Sequence, residues 1–360
     1  TMKKIFYYIA FLAVSFALTS CEDMFDRKPL GQQTEDDLTG GTYETQVFNM
    51  YAKLRGFHLT SGNTALAIHG MRSEDAEKGS TLSDGAATGK MFDDFEYLAS
   101  NGMIKSYWND NYSLIHKVND LLDEMSQNPS LTEGDLVNKG EALFVRAFCY
   151  FNLVRAFGEV PLIDFKVYDA AEANVPKSSV AKIYELIDSD LTEAENSLPR
   201  TWEQLYVGRL TWGAARSLHA RTYMMRNDWG NMKAAAEEVI NSKLYSLVKD
   251  NYVDAFKSNS SEAIWEYDYN ATNKVYHSWD NFYAPGGDKK FDGNNQVGGL
   301  ANPTQEMVES YEYATTGGFP DWSAWHTTES TEENPPYSKL EPRFQASILY
   351  NLSLIHISEP

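Results

Sequence analysis

Cysteine is nearly missing from this chain: 360 residues hold only Cys21 and Cys149, so at most one bridge is possible and a disulfide framework is excluded. Basic clusters are missing as well. Lys and Arg number 31 against 51 Asp and Glu, for a formal charge of −20. Nucleic-acid binding rests on grouped Lys and Arg, so a nucleic-acid partner is not expected. The opening apolar run, Ile5 to Leu18, has fourteen residues, short of the roughly twenty that a membrane-spanning helix needs. Enzyme signatures fail too. HExxH and GxSxG do not occur, and the seven histidines show no metal-ligand spacing. "GAATGKM" at 85–91 mimics a phosphate loop, but it is one residue short between the glycines and Met91 replaces the required hydroxyl. No catalytic residue, metal or cofactor is expected. A glycosidase needs only two carboxylates placed by the fold, so that possibility stays open among 51 acids.

What is present is ordinary globular material, 42% hydrophobic and 23% charged, with a surplus of 22 tyrosines and 8 tryptophans. Such rings usually build cores, but Tyr and Trp also stack on flat, sparsely charged ligands, of which sugar rings are one kind. Cys149 falls on an apolar helical face, where a free cysteine acts as a small hydrophobe. Cys21 differs. Lys3 and Lys4 precede the apolar run, which reads as a secretory leader. The run closes on Leu18-Thr19-Ser20-Cys21, which resembles a bacterial lipobox, the cysteine becoming the acylated N-terminus. Several acyl chains on one residue give a stable anchor where one would be marginal. Glu22, Asp23 and Asp26 resemble the acidic tag that directs some lipoproteins to the outer face of the outer membrane. The alternative is an ordinary signal peptide with an incidental cysteine. Cleavage before Cys21 removes two lysines and takes the formal charge to −22.

Helical periodicity dominates the middle of the chain. Thr42 to Leu54 aligns Val47, Met50, Tyr51 and Leu54. Ile104 to Met125 aligns Trp108, Tyr112, Ile115, Val118, Leu122 and Met125, with Pro129 as the stop. Thr132-x-x-Asp135 is a capping signal for a helix to Phe157, whose inner face holds Phe144, Ala147, Phe148, Phe151 and Val154. Gly158 and Pro161 end it. Ser179 precedes a stripe running from Val180 to Leu198. "RLTWGAARSLHARTYMMRNDWGNMKAAAEEVI" reads as two helices around an Asn227-Asp228 turn plugged by Trp229, their alanines permitting close approach, as in a tetratricopeptide unit. Trp108, Trp202 and Trp212 are assigned to the core with Trp229. Residues 57–102 show no sustained period, and beyond Asn241 the chain turns loop-rich, with "AIWEY" alternating like a strand and Trp265 directed to the core.

Taken in order, "YSLIHKVNDLL", "KGEALFVRAFCYFNLVRAFGEVPLI", "RLTWGAARSLHARTYMMRNDWGNMKAAAEEVI", "SEAIWEYDY" and "ANPTQEMVESYEYATTGG" resemble the SusD/RagB family, and "CEDMFDRKP" its usual mature start. The resemblance implies a mainly α fold: tetratricopeptide-like hairpins in a SusD-like α-α superhelix, with an irregular portion containing short strands. It implies a surface lipoprotein, non-catalytic, that captures oligosaccharides and hands them to a SusC-like TonB-dependent outer-membrane channel. RagB-like members imply peptide as the alternative cargo. The expected organisation is a leader over 1–20, an anchor and spacer over 21–41, and a SusD-like domain over 42–343. In that domain 42–56 and 103–241 form the scaffold, and 57–102 and 242–343 the ligand portion. Glu341-Pro342-Arg343 departs mildly from the family's Asp-Pro-Arg. The end "NLSLIHISEP" follows no family pattern and resembles translated adapter sequence, so 344–360 is expected to be a truncated or non-native tail.

A neutral glycan needs aromatic faces for its C–H surfaces and carboxylates or amides for its hydroxyls. Tyr276, Trp279 and Tyr283, among Asn273, Asp280 and Asn281, are the densest candidates; the alternative is that they pack under their own loop. Trp322 and Trp325, spaced to align on one helical turn, come second. Arg72 and Asp75 could bond hydroxyls, although a surface salt bridge would also explain them.

Overall fold

A computed structural model describes residues 42–54, 70, 73–77, 95–249, 251–267, 269, 302–324 and 336–350. They belong to one compact unit starting at Thr42. The described residues form eight α-helices and four two-residue strands. The helices are α1 (Tyr43–Leu54), α2 (Gly102–Ser126), α3 (Glu133–Phe157), α4 (Val180–Ser197), α5 (Trp212–Met225), α6 (Trp229–Ser242), α7 (Gln305–Glu309) and α8 (Pro342–Ser347). The strands β1 (Ala76–Glu77), β2 (Val160–Pro161), β3 (Lys177–Ser178) and β4 (Asn302–Pro303) pair antiparallel as β1–β4 and β2–β3. The architecture is mainly α.

The helix ends follow their local chemistry. Thr132 and Asp135 form a reciprocal capping box on α3. Thr132 Oγ1 accepts from Asp135 N at 3.2 Å, and the Asp135 carboxylate accepts from Thr132 N at 2.8 Å. Gly158, at φ 71°, occupies the conformation that ends α3 and that a side chain would disfavour. Ser179 caps α4 and Thr211 caps α5. In the α5–α6 turn Asn227 takes φ 59° and Asp228 caps α6 by accepting from Asn231 N.

The centre of the fold is α3, packed by α1, α2, α4 and α5. Its inner face is wider than one stripe: Gly140 to Ala147 and Cys149 to Val154 are all buried, and Phe148 is half-buried. Gly140 permits this crowding, because a Cβ there would lie 2.9 Å from that of Ser197 at the end of α4. Glu141 and Arg146 are therefore buried charges, which persist only when paired. Arg146 Nε and Nη2 donate to Asp190 at 2.8 and 2.7 Å, and Nη1 donates to Asn119 Oδ1 at 2.8 Å. Asn119 Nδ2 in turn donates to the carbonyls of Ile163 and Phe165 at 2.8 and 3.0 Å. Glu141 accepts from Arg209 through a two-pronged contact of 2.9 and 2.5 Å, and from Tyr51 OH at 2.7 Å. Arg209 also reaches Glu44 at 2.6 Å and lies over the Trp202 ring at 4.3 Å.

Between α4 and α5 sits a third set. The buried His219 ring stacks on Tyr223 at 4.5 Å, and its Nδ1 is 2.7 Å from Glu195. Its Nε2 lies 3.3 Å from Asp188 without the alignment of a hydrogen bond. Arg226 donates twice to Asp188, at 2.7 and 2.8 Å, and Arg216 donates to Glu195 at 3.2 Å and to Glu238 at 2.9 Å.

Two expectations are corrected. Trp229 does not plug the α5–α6 turn: it is the first residue of α6 and is 56% exposed, because Asn227 and Asp228 close the turn unaided. "AIWEY" forms no strand. Ile264 and Trp265, adjacent in sequence, both pack against the core, which alternation forbids. Trp265 instead wedges beside Phe144 and Tyr51, with ring centroids at 5.7 and 6.4 Å, and donates its N–H to Gly208 O. α8 runs past residue 343, with Phe344 fully buried and Ile348 buried in the same cluster. Trp108, Trp202 and Trp265 are partly buried and Trp212 is buried.

Two stability outcomes follow from the paired charges. Arg146→Met leaves Asp190 buried without its partner and should cost about 3–5 kcal/mol in urea unfolding. The double change Arg146→Met with Asp190→Leu should recover most of that loss; an equal loss in the double variant would show that the pair is not the cause. For His219, burial lowers the pKa, but the carboxylates of Asp188 and Glu195 outweigh it, and the net direction is upward from 6.5. A raised value means a stabilising share fully present below pH 6.5 and lost as pH climbs through the folded-state value. Unfolding free energy of the wild type should fall on that alkaline side, and His219→Gln should flatten the slope there. An unchanged slope in the variant would refute the assignment.

Candidate functional site

The stretch carrying Tyr276, Trp279 and Tyr283 lies outside the described residues, as do Cys21, Arg72 and Trp325. Its two ends are described. On the upstream side Tyr267 and Tyr269 pair, with ring centroids at 5.3 Å. On the downstream side β4 pairs with β1, bringing residue 302 against Glu77. Thr304 makes the joint: its N–H donates to Asp75 O at 3.2 Å, its hydroxyl donates to Glu74 O, and Oγ1 accepts from Met307 N to cap α7. The Asp75 backbone is thus fixed while its side chain stays exposed. α7 then feeds the cluster of Val308, Tyr311, Trp322, Leu340, Phe344 and Ile348. The fold accordingly links residues 73–77, β4 and Trp322–Ala324, which are remote in sequence.

Within that junction Trp322 is not a solvent-facing platform. It is 7% exposed, 6.1 Å from the Tyr337 ring, and its first turn is a 3₁₀ segment, Trp322–Ala324. Its indole N–H has no hydrogen-bond partner among the described residues, and a buried donor left so costs about 1–3 kcal/mol. An oxygen brought to the cluster would satisfy it.

The structure also displays rings that sequence reasoning passed over. Phe95 and Tyr97, in the segment leading into α2, are 63% and 38% exposed. Phe95 has φ 57°, a left-handed conformation that a bulky residue adopts at a cost. Asn101 fixes the segment to the helix by accepting from Met103 N at 2.9 Å and Ile104 N at 3.4 Å, while Asn101 N donates to Leu98 O. Behind it Trp108 packs on Phe157 and Tyr112 at 5.0 and 4.9 Å. Strain, outward rings and a capped base are the features that make this segment a candidate contact surface. The signal in sequence was "FDDFEYL", aromatics among acids with no helical period.

Among the described residues no group of three or more His, Cys, Asp or Glu could hold a metal. The Cys149 thiol is buried, and burial alone pushes its pKa far up, so it is a poor nucleophile.

A family model described as starch-binding associating with outer membrane matches residues 42–224, and the SusD family model matches residues 261–356. SusD-like protein P2 of Formosa agariphila is 28% identical over 274 residues, covering 74% of this chain and 52% of that protein. A SusD-like protein of Bacteroides ovatus is 26% identical over 187 residues, covering 47% of this chain and 34% of that one. Among solved structures, a SusD-like protein from Bacteroides fragilis superposes with a TM-score of 0.71 at 22% identity, over 89% of this chain and 63% of the other. A laminarin-binding SusD-like protein superposes with a TM-score of 0.63 at 24% identity, over 73% and 62%. At these identities the superpositions establish the fold. The chain spans about half the length of SusD-like protein P2.

Phe95→Gly separates strain from packing. Glycine relieves the left-handed conformation, so Tm should hold or rise by about 1–3 °C while retention on a polysaccharide gel weakens. A Tm drop of several degrees would make the ring structural instead.

Proposed function

The chain belongs to the SusD/RagB family, and from that premise we propose that it captures oligosaccharides at the cell surface and delivers them to a SusC-like TonB-dependent channel, without acting on them chemically. The observation that carries the reading is the outward, strained Phe95 beside Tyr97, mounted on the capped start of α2. Rings held in place before the ligand arrives lose little conformational freedom on binding, and stacking asks for no charge on the ligand. The laminarin-binding neighbour supports a glycan as cargo. Tyr276, Trp279, Tyr283, Trp325, Arg72 and Asp75 are proposed as further contacts, and the buried Trp322 N–H as a further donor. Cys21 is proposed as the acylated anchor that holds the protein at the outer membrane. No helix among the described residues is long and apolar enough to cross a membrane.

Soluble starch and laminarin provide the test. The protein should migrate more slowly in native gels containing the polysaccharide it binds, with no new reducing ends appearing. Release of sugar would replace the reading with a glycosidase, and binding to proteolysed protein but to neither polysaccharide would replace it with peptide uptake. Trp279→Ala should weaken gel retardation with Tm nearly unchanged.

A further inference from the structure

A second set of exposed rings lies at the opposite end of α2. Tyr168 is 73% exposed and Phe165 is 40% exposed, in the segment that follows β2. Exposure of a tyrosine usually serves to hydrate its hydroxyl, but Tyr168 OH already donates to Asp123 Oδ2 at 3.1 Å. Nor is this a loose tip. Tyr168 N and Asp169 N both donate to Glu172 Oε2, at 2.8 and 3.3 Å. The base of the segment is tied to the core: Asn119 Nδ2 donates to Ile163 O and Phe165 O, and Tyr150 OH accepts from Ile163 N at 2.7 Å. Lys166 donates to the same Asp123 oxygen at 3.2 Å, with its ammonium 5.1 Å from the Tyr168 centroid. Asp120 and His116, 3.4 Å apart, continue the polar edge along α2.

The result is a flat ring fixed in orientation, with a carboxylate at its hydroxyl edge and an ammonium over one of its two faces. We propose that Tyr168 and Phe165, with Asp123 and Asp120 at the rim and Lys166 over one face, form a second station for a neutral saccharide ring, stacking on its C–H face and bonding its hydroxyls. The proposal rests on the glycan reading above and adds a site to it. A rise of about 1.5 Å per residue along α2 places Asp123 about 30 Å from the helix start near Phe95 and Tyr97, so the two stations engage separate parts of one long chain. Two contacts on one polymer raise overall affinity through effective concentration, and a short oligosaccharide that reaches only one station gains nothing from the second.

The test uses the full chain labelled with 3-fluorotyrosine, the Tyr168 resonance being assigned by its loss in Tyr168→Phe. Titration with soluble starch or laminarin should shift that resonance saturably. Tyr168→Ala should leave Tm unchanged, weaken polysaccharide affinity about tenfold, and leave the affinity for a trisaccharide of the same sugar intact. Gel retardation with no shift at Tyr168 would overturn the second station and leave the glycan reading standing. Neither retardation nor shift with either polysaccharide would overturn both. Equal loss of trisaccharide and polysaccharide binding in Tyr168→Ala would also overturn it, by making Tyr168 part of the primary site.

Discussion

The helix Glu133–Phe157 is enclosed on nearly every side, and the polar groups it carries inward must find partners there or cost several kcal/mol each. Asn119 on α2, Asp190 on α4 and Tyr51 on α1, with Arg209 from the approach to α5, supply them, and Glu44 on α1 holds Arg209 in turn. Each fork of hydrogen bonds has one arrangement that satisfies it. Sliding α4 past α3 by one turn would part Arg146 from Asp190, while the apolar neighbours would tolerate the slip far better. The hydrophobic residues supply most of the driving force for packing, and the buried charges penalise wrong alignments. This is how hairpins of modest individual stability add up to a stiff base.

That central feature was the least legible part of the scaffold. The caps, stops and stripes could be read because each depends on residues three or four apart: Thr132 with Asp135, Leu191 with Ala194. Arg146 and Glu141 are charges on a helix whose sequence names one apolar face, and nothing beside them marks them as buried. Their partners lie 44 and 68 residues away, and no local pattern announces a pair at that distance. Trp229 failed for the converse reason. Its position in an apolar stripe suggested burial, but two residues with strong turn chemistry had already closed the hairpin.

Aromatic residues raised the same difficulty at the candidate site. Trp322 and Phe95 sit in comparable sequence, among Gly, Asp and other rings, yet one is enclosed and the other turned out. What separates them is tertiary. Trp322 falls beside Phe344 and Leu340, contributed by the far end of the chain, whereas Phe95 is held outward by a backbone angle and by the Asn101 cap. Composition supplies residues able to stack on a flat ligand but not the direction in which they point. The joint at Thr304 was equally invisible, because β1 and β4 are two residues each and lack any strand signature.

The acidity of the chain bears on what such rings can hold. A formal charge of −20 repels anionic ligands over a Debye length of about 8 Å at physiological salt, and it offers no steering to a neutral one. Recognition of a neutral polymer must then come from short-range contacts, each weak and each effective only if the ring is already in place. Tyr168 and Phe95 show two ways of meeting that condition, the first by tying its hydroxyl to Asp123 and the second by a strained backbone. In both, the cost of fixing the ring is met when the protein folds, not when the ligand binds. A scaffold stiffened by buried ion pairs and a surface of pre-set rings are therefore two parts of one solution: the stiffness of the first preserves the orientation of the second.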